Sequence, residues 1–218
     1  MNEPDFAAMR TTMIASQLRT VGVNDPRVLA AIEAVARERF VPESRASLAY
    51  ADTSLALGDG RFLNTPVAAA RLINEAKILP NDHILLIGAA TGYLAAVLAR
   101  LAAHVVAVDD DAALLDTATR ELGAIGNVSI VHGALTEGAP AHAPYQVILI
   151  DGAVEQLPSA LVDQLAVGGR LITGLVERGV TRLAIGRKTA GGFGVVAFAD
   201  AACLVFPEFN KPKAFSFS

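Results

Sequence analysis

Hydrophobic positions along this chain change their period twice. In the first third they recur at helical spacing: Phe6, Met9, Met13, Ile14, Gln17 and Leu18 trace one face. Asp25-Pro26 supplies an N-cap and a first-position proline for a second helix, with Val28, Leu29, Ile32 and Val35 inward, and it stops before Val41-Pro42. The stretch from Leu55 to Pro66 holds Gly58, Asp59 and Gly60 and reads as a loop, followed by a helix from about Pro66 to Ala76. From Ile84 onward, short apolar runs alternate with amphipathic segments. Ile84–Ile87, Val105–Val108, Val128–Val131, Val147–Ile150 and Arg170–Thr173 read as strands. Tyr93–Ala102, Ala112–Leu122 and Pro158–Leu165 read as the helices between them. Beyond Val180 the pattern shifts to hairpin spacing: Thr181–Arg187, a Gly191-Gly192 turn, Val195–Phe198 and Cys203–Phe206. The chain is therefore expected to be an α/β protein with a doubly wound, mostly parallel sheet of about seven strands, an antiparallel edge and N-terminal helices.

Length and composition narrow the classes. The 218 residues suit one domain, with 1–80 as a helical and loop-bearing N-terminal segment and 81–218 as the α/β core. A hydrophobic content of 53% supports a substantial core, while the apolar runs are too interrupted for a membrane span. Met1–Arg10 lacks a basic-then-apolar leader, so a cytoplasmic location is the default expectation. A net charge of −4 argues against general nucleic-acid binding. The single cysteine, Cys203, sits among apolar neighbours and reads as a buried small residue. His83, His104, His132 and His142 lack ligand spacing, so no metal is expected. Oligomeric state is left open.

Candidate chemistry gathers at strand ends, where open α/β sheets bind ligands. The first strand-to-helix turn is Gly88-Ala89-Ala90-Thr91-Gly92-Tyr93. A dinucleotide G-x-G-x-x-G fits it at one glycine, while G-x-G-x-G fits at Gly88 and Gly92. Such a loop can offer backbone N–H groups to a small carboxylate ahead of a helix. Asp109 follows the second strand, 21 residues after Gly88, where a carboxylate can accept both hydroxyls of a ribose. Asp110 or Asp111 is then free to cap the next helix.

Longer segments carry a resemblance. Ser16-Gln17-Leu18-Arg19, Asp25-Pro26-Arg27-Val28-Leu29, Arg37-Glu38-Arg39-Phe40-Val41-Pro42 and Gly58-Asp59-Gly60-Arg61-Phe62-Leu63-Asn64-Thr65-Pro66 resemble the protein-L-isoaspartate O-methyltransferase family. Ala143-Pro144-Tyr145-Gln146-Val147-Ile148, Leu157-Pro158 and Gly168-Gly169-Arg170-Leu171 continue the likeness. The resemblance implies a class I methyltransferase-like sheet, S-adenosyl-L-methionine as cofactor and isoaspartyl-containing proteins or peptides as acceptors. It places the cofactor against Gly88, Ala89, Ala90, Thr91, Gly92, Asp109, Ala134 and Leu135, and Asn64 at the family's functional serine.

The likeness breaks at four places. Leu86 stands where the family has an acid in the first strand, and Ala90 where it has the middle glycine. Gly133-Ala134-Leu135 replaces a G-D-G; Leu63-Asn64-Thr65-Pro66 replaces an I-S-Q-P; Asp151-Gly152-Ala153 replaces a T-A-A. These changes imply weaker cofactor retention and weak repair activity. They also leave a second reading: a silent or re-purposed methyltransferase fold with another acceptor or a binding role, with Asp151 taking over a polar function. Phe215 and Phe217, alternating with serines, suggest a final strand or a cover over the domain.

Overall fold

A computed structural model of the chain describes residues 4–211. Phe215 and Phe217, and the tail strand expected there, lie outside the described residues.

The N-terminal segment is helical, as its spacing predicts. Helix α1 (Phe6–Met13) starts at Asp5, whose carboxylate accepts the Ala8 N–H at 2.9 Å. It runs on as one wider turn over Ile14–Leu18 and stops at Gly22. Helix α2 (Pro26–Glu33) is capped by Asp25 and buries Val28, Leu29, Ala31 and Ile32. Short 3-10 turns over Arg37–Phe40 and Glu43–Leu48 lead onward.

The expected loop from Leu55 to Pro66 is instead a hairpin: β1 (Leu55–Gly58) pairs antiparallel with β2 (Arg61–Leu63). Alternation is too short in either strand to show in the sequence, and only the mutual pairing defines them. Helix α3 (Pro66–Ala76) follows, capped by Thr65 Oγ1 on Ala68 N.

Then come β3 (His83–Ile87), α4 (Tyr93–Leu98), β4 (His104–Asp109), α5 (Ala112–Leu122), β5 (Val128–His132), β6 (Tyr145–Val154), α6 (Ser159–Asp163), β7 (Leu165–Glu177), β8 (Val180–Thr189) and β9 (Gly192–Asp200). Seven of the strands form one sheet in the order β5-β4-β3-β6-β7-β8-β9. The first five strands in that order are parallel, and the last two close the edge as an antiparallel meander.

β3 lies at the centre, and its residues Ile84, Leu85, Leu86 and Ile87 are fully buried. Burial on both faces explains why this strand reads as an unbroken apolar run; each such side chain contributes about 1.5–3 kcal/mol. Ile84 and Leu86 pack in a core shared with α2, α3 and α4, whereas Leu85 and Ile87 face a second core with Leu135, Tyr145, Leu161 and Phe209. The first of these cores runs from Met13 to Leu183, so the N-terminal helices and the sheet share it.

Cys203–Phe206 is not the last antiparallel strand. After β9 the chain returns across the sheet, and Val205 makes an isolated parallel bridge with Ala153 at the end of β6. Two hydrogen bonds hold it: Ala153 N to Leu204 O at 2.5 Å and Phe206 N to Ala153 O at 2.9 Å. No helix among the described residues is long and apolar enough to cross a membrane.

Candidate active site

Strand order reverses between β3 and β6, which makes the crevice outside their carboxyl ends the expected ligand position. Three features meet there: the glycine loop after β3, the acid ending β4, and the end of β6.

The loop turns tightly because Gly88 and Gly92 take positive φ angles of 77° and 93°, and Ala90 is forced to 47°. A left-handed alanine is unfavourable, which is the local cost of having a methyl where a glycine would fit. The loop does not, however, offer its donors as the sequence suggested. The Gly88 and Ala89 N–H groups both donate to Val108 O at 3.0 Å, and Gly92 N–H donates to Ala89 O at 2.8 Å. Ala90 N–H donates to Asp109 Oδ2 at 2.7 Å. The Gly88, Ala89 and Ala90 amides are spent on joining the loop to β4 and that of Gly92 on closing the turn, so Gly88 can serve a ligand by close approach rather than by an N–H cradle. Thr91 is occupied as well: its hydroxyl donates to Phe40 O at 2.6 Å, fastening the N-terminal segment to the loop.

Asp109 ends β4 with no exposed surface. Besides Ala90 N–H it accepts Asp111 N–H at 3.1 Å and the Arg61 guanidinium at 2.9 Å. Arg61, on β2, also grips Asp110 at 2.7 Å. Burial pushes the Asp109 carboxyl up, and the Ala90 N–H and Arg61 pull back against that shift. Asp111, the third acid, caps α5 by accepting Ala113 N–H and Leu114 N–H at 3.0 and 3.1 Å. The three consecutive acids therefore divide their roles.

Asn64, the residue after β2, is buried and faces the end of β6. Its Nδ2 donates to Asp151 Oδ1 at 3.0 Å, while its Oδ1 accepts Thr65 N–H at 3.0 Å. Thr65, not Asn64, caps α3. Beneath them Arg37 is fully buried, donating from Nε to Ala49 O at 2.8 Å and from Nη2 to Asn64 O at 2.5 Å. Its guanidinium lies 4.6 Å from the Tyr93 ring centre. Burial pushes the Asp151 carboxyl up to about 7, with the Asn64 hydrogen bond and Arg37 opposing the shift. Cys203 is also pushed up, to about 12, by burial and the nearby Asp151.

The β5 end contributes less. Leu135 is a buried core side chain, and Ala134 is exposed, its carbonyl accepting Glu137 N–H at 3.1 Å. Phe206, from the returning segment, lies in the crevice between the β3 and β6 ends: a Cβ on Gly88 would overlap its ring, and one on Gly152 would meet it at 2.5 Å.

A profile of the protein-L-isoaspartate(D-aspartate) O-methyltransferase family matches residues 9–202. A protein-L-isoaspartate O-methyltransferase 1 of Rhodopseudomonas palustris (strain HaA2) is 42% identical over 169 residues, 77% of this chain and 69% of that one. The chain belongs to the protein-L-isoaspartate(D-aspartate) O-methyltransferase family. Its fold is that of solved members. A protein-L-isoaspartate O-methyltransferase superposes with a TM-score of 0.77 at 24% identity, over 90% of this chain and 65% of that longer one. A Plasmodium falciparum beta-aspartate methyltransferase, solved in complex with S-adenosyl-L-homocysteine, gives 0.76 at 20% identity, over 94% and 100%.

Within this family member the structure brings Gly88, Ala90, Asp109, Asn64 and Asp151 to one end of the sheet, and sets Leu86 inside the apolar core. Sequence reasoning missed three residues there. Arg37 and Arg61 lie within the segments that resemble the family, but no spacing marks them as an inner hub and a partner of Asp109. Phe206 carries no signal, since Cys203–Phe206 has the pattern of an edge strand.

Proposed function

We propose that this protein transfers a methyl group from S-adenosyl-L-methionine to the carboxylate of isoaspartyl residues in damaged proteins or peptides. One observation carries the reading: the hairpin bearing the family's substrate loop folds over the reversal point of the sheet, with Asn64 against Asp151 at the end of β6. The residues present suit the cofactor chemically. Gly88 and Gly152 carry no side chain into the crevice, where the Phe206 ring now lies, and the Asp109 carboxylate, with about four lone-pair sites, can accept from ribose hydroxyls once Arg61 yields.

S-adenosylmethionine supplies an electrophilic methyl and a neutral thioether leaving group. A carboxylate acceptor, ionised at neutral pH with an ordinary pKa of about 4, needs no base to attack it. The protein's share is alignment and exclusion of water. Arg37 holds the loop from below through Asn64 O, and Asn64 in turn holds Asp151, which fixes the loop's height above β6. Asn64 in place of serine, together with Leu86 and Ala134 in place of acids, points to a low turnover. The test is labelled methyl transfer to an isoaspartyl peptide beside its aspartyl counterpart. Slow but selective methylation of the isoaspartyl form supports the reading, and equal labelling of both or none refutes it.

A second reading, a methyltransferase fold that binds without turning over, is favoured by Arg61 on Asp109. Titration with S-adenosylhomocysteine separates the two.

A further inference from the structure

We propose that Phe206 is an internal occupant of the cofactor crevice, a self-made plug that S-adenosylmethionine must displace. The proposal rests on the cofactor reading of that crevice given above.

Three observations support it. First, the ring sits where the sheet reverses: it lies against Gly88 after β3 and against Gly152 in β6. Second, Gly152 does not have a positive φ, so its missing side chain is a matter of space rather than backbone freedom. A Cβ there would meet Phe206 Cε2 at 2.5 Å and Leu204 O at 2.9 Å. The space is reserved, and in this structure it is an aromatic ring of the chain itself that fills it. Third, the plug is built to move. Among the described residues its backbone pairs with the sheet at the isolated Val205–Ala153 bridge; further on, Gln156 Nε2 donates to Asn210 O at 3.3 Å, Lys211 N–H donates to Glu155 Oε2 at 2.9 Å, and Phe209, three residues after Phe206, is fully buried in the core. Phe209 anchors, and lifting the strap from Ala153 costs the two hydrogen bonds there and the burial of the Phe206 ring in the second core. Arg61 closes the other half of the crevice by holding Asp109, so both ends of the expected ligand position are met by the chain's own side chains.

A plug of this kind taxes affinity by the fraction of molecules in which it is open. With an open state of about 1–10%, removing the ring should tighten cofactor binding by about 10- to 100-fold. The chain contains no tryptophan, so Phe206→Trp places a single reporter in the crevice.

The experiment measures S-adenosylhomocysteine affinity by calorimetry for the full-length wild type, Phe206→Ala, Phe206→Leu and Phe206→Trp, together with tryptophan emission of the last. The expected result is tighter binding for alanine, an intermediate gain for leucine, and weaker binding for tryptophan with a red shift at saturation. Leucine keeps most of the buried volume, so it carries the test if the alanine variant unfolds. Affinity that is unchanged or weaker in both smaller variants, or emission that stays blue with ligand bound, makes Phe206 a wall of the site and overturns the plug while leaving the cofactor reading intact. No binding by any variant at millimolar ligand removes the cofactor reading, and the plug with it.

Discussion

Asn64 Nδ2 donates to Asp151 Oδ1 at 3.0 Å, across 87 residues of sequence, and this bond ties the segment after β2 to the end of β6. Both positions depart from the pattern of the family, and in this fold they touch. A serine at 64 would be too short to reach across as asparagine does, and a threonine at 151 would present no carboxylate to hold.

The pair should therefore respond to mutation as a unit. Asn64→Ser alone leaves a buried carboxyl short of a donor and should cost about 1–3 kcal/mol of stability. Asn64→Ser with Asp151→Thr should recover most of that loss, with a coupling of about 0.5–3 kcal/mol, and should raise turnover on an isoaspartyl peptide above wild type. Thermal melts and labelled methyl transfer on the three variants read both effects. Strict additivity would show that the two residues do not act through their contact.

Asp151 also sets a pH dependence. Its folded value is raised to about 7 from an ordinary 3.8, so the folded protein keeps a proton that the unfolded chain releases. Stability from this group is then fully present below about 4 and is lost as pH rises towards 7. Between pH 5 and 8 the wild type should lose about 2–3 kcal/mol more than Asp151→Asn, whose amide cannot titrate. Urea unfolding at both pH values checks this, and parallel slopes for the two proteins would contradict it.

Asp109→Ala should weaken S-adenosylhomocysteine binding by about 1.5–3 kcal/mol, one to two powers of ten, as loss of a charged hydrogen-bond partner does. Arg61→Ala should act in the opposite direction, because it frees the carboxylate that Arg61 now grips at 2.9 Å. Calorimetry on both variants decides; an unchanged affinity for Asp109→Ala would confine the acid to holding the loop and Arg61.

Ala90→Gly should stabilise the protein. The position sits at φ 47°, where an L-residue loses about 1–2 kcal/mol and glycine gives back about 0.5–1 kcal/mol through its unfolded-state freedom. The net expectation is a gain of a few tenths to about 1 kcal/mol, read as a higher melting temperature. A lower one would mean that the Ala90 methyl makes packing contacts worth more than the strain.

What the sequence determined by itself was everything that repeats locally. Ile84–Ile87, Val105–Val108 and Val147–Ile150 are apolar on every position because strands covered on both faces must be, and Asp25-Pro26 and the pair Asp110-Asp111 mark helix starts because caps act within three residues. From these follow the mostly parallel sheet and Gly88 and Asp109 at strand ends, whereas the strand order and its reversal between β3 and β6 come from the tertiary structure. The tertiary structure alone decided which groups face one another there. Arg61 reaches Asp109 across 48 residues, Asn64 reaches Asp151 across 87, and Phe206 returns from the β9 edge past β8 and β7 to fill the space beside Gly88 and Gly152. A hydrogen bond or a ring contact leaves no period in the chain. Its partners are chosen by where the crossovers bring them, so the crevice could be located from residues, but its contents could not.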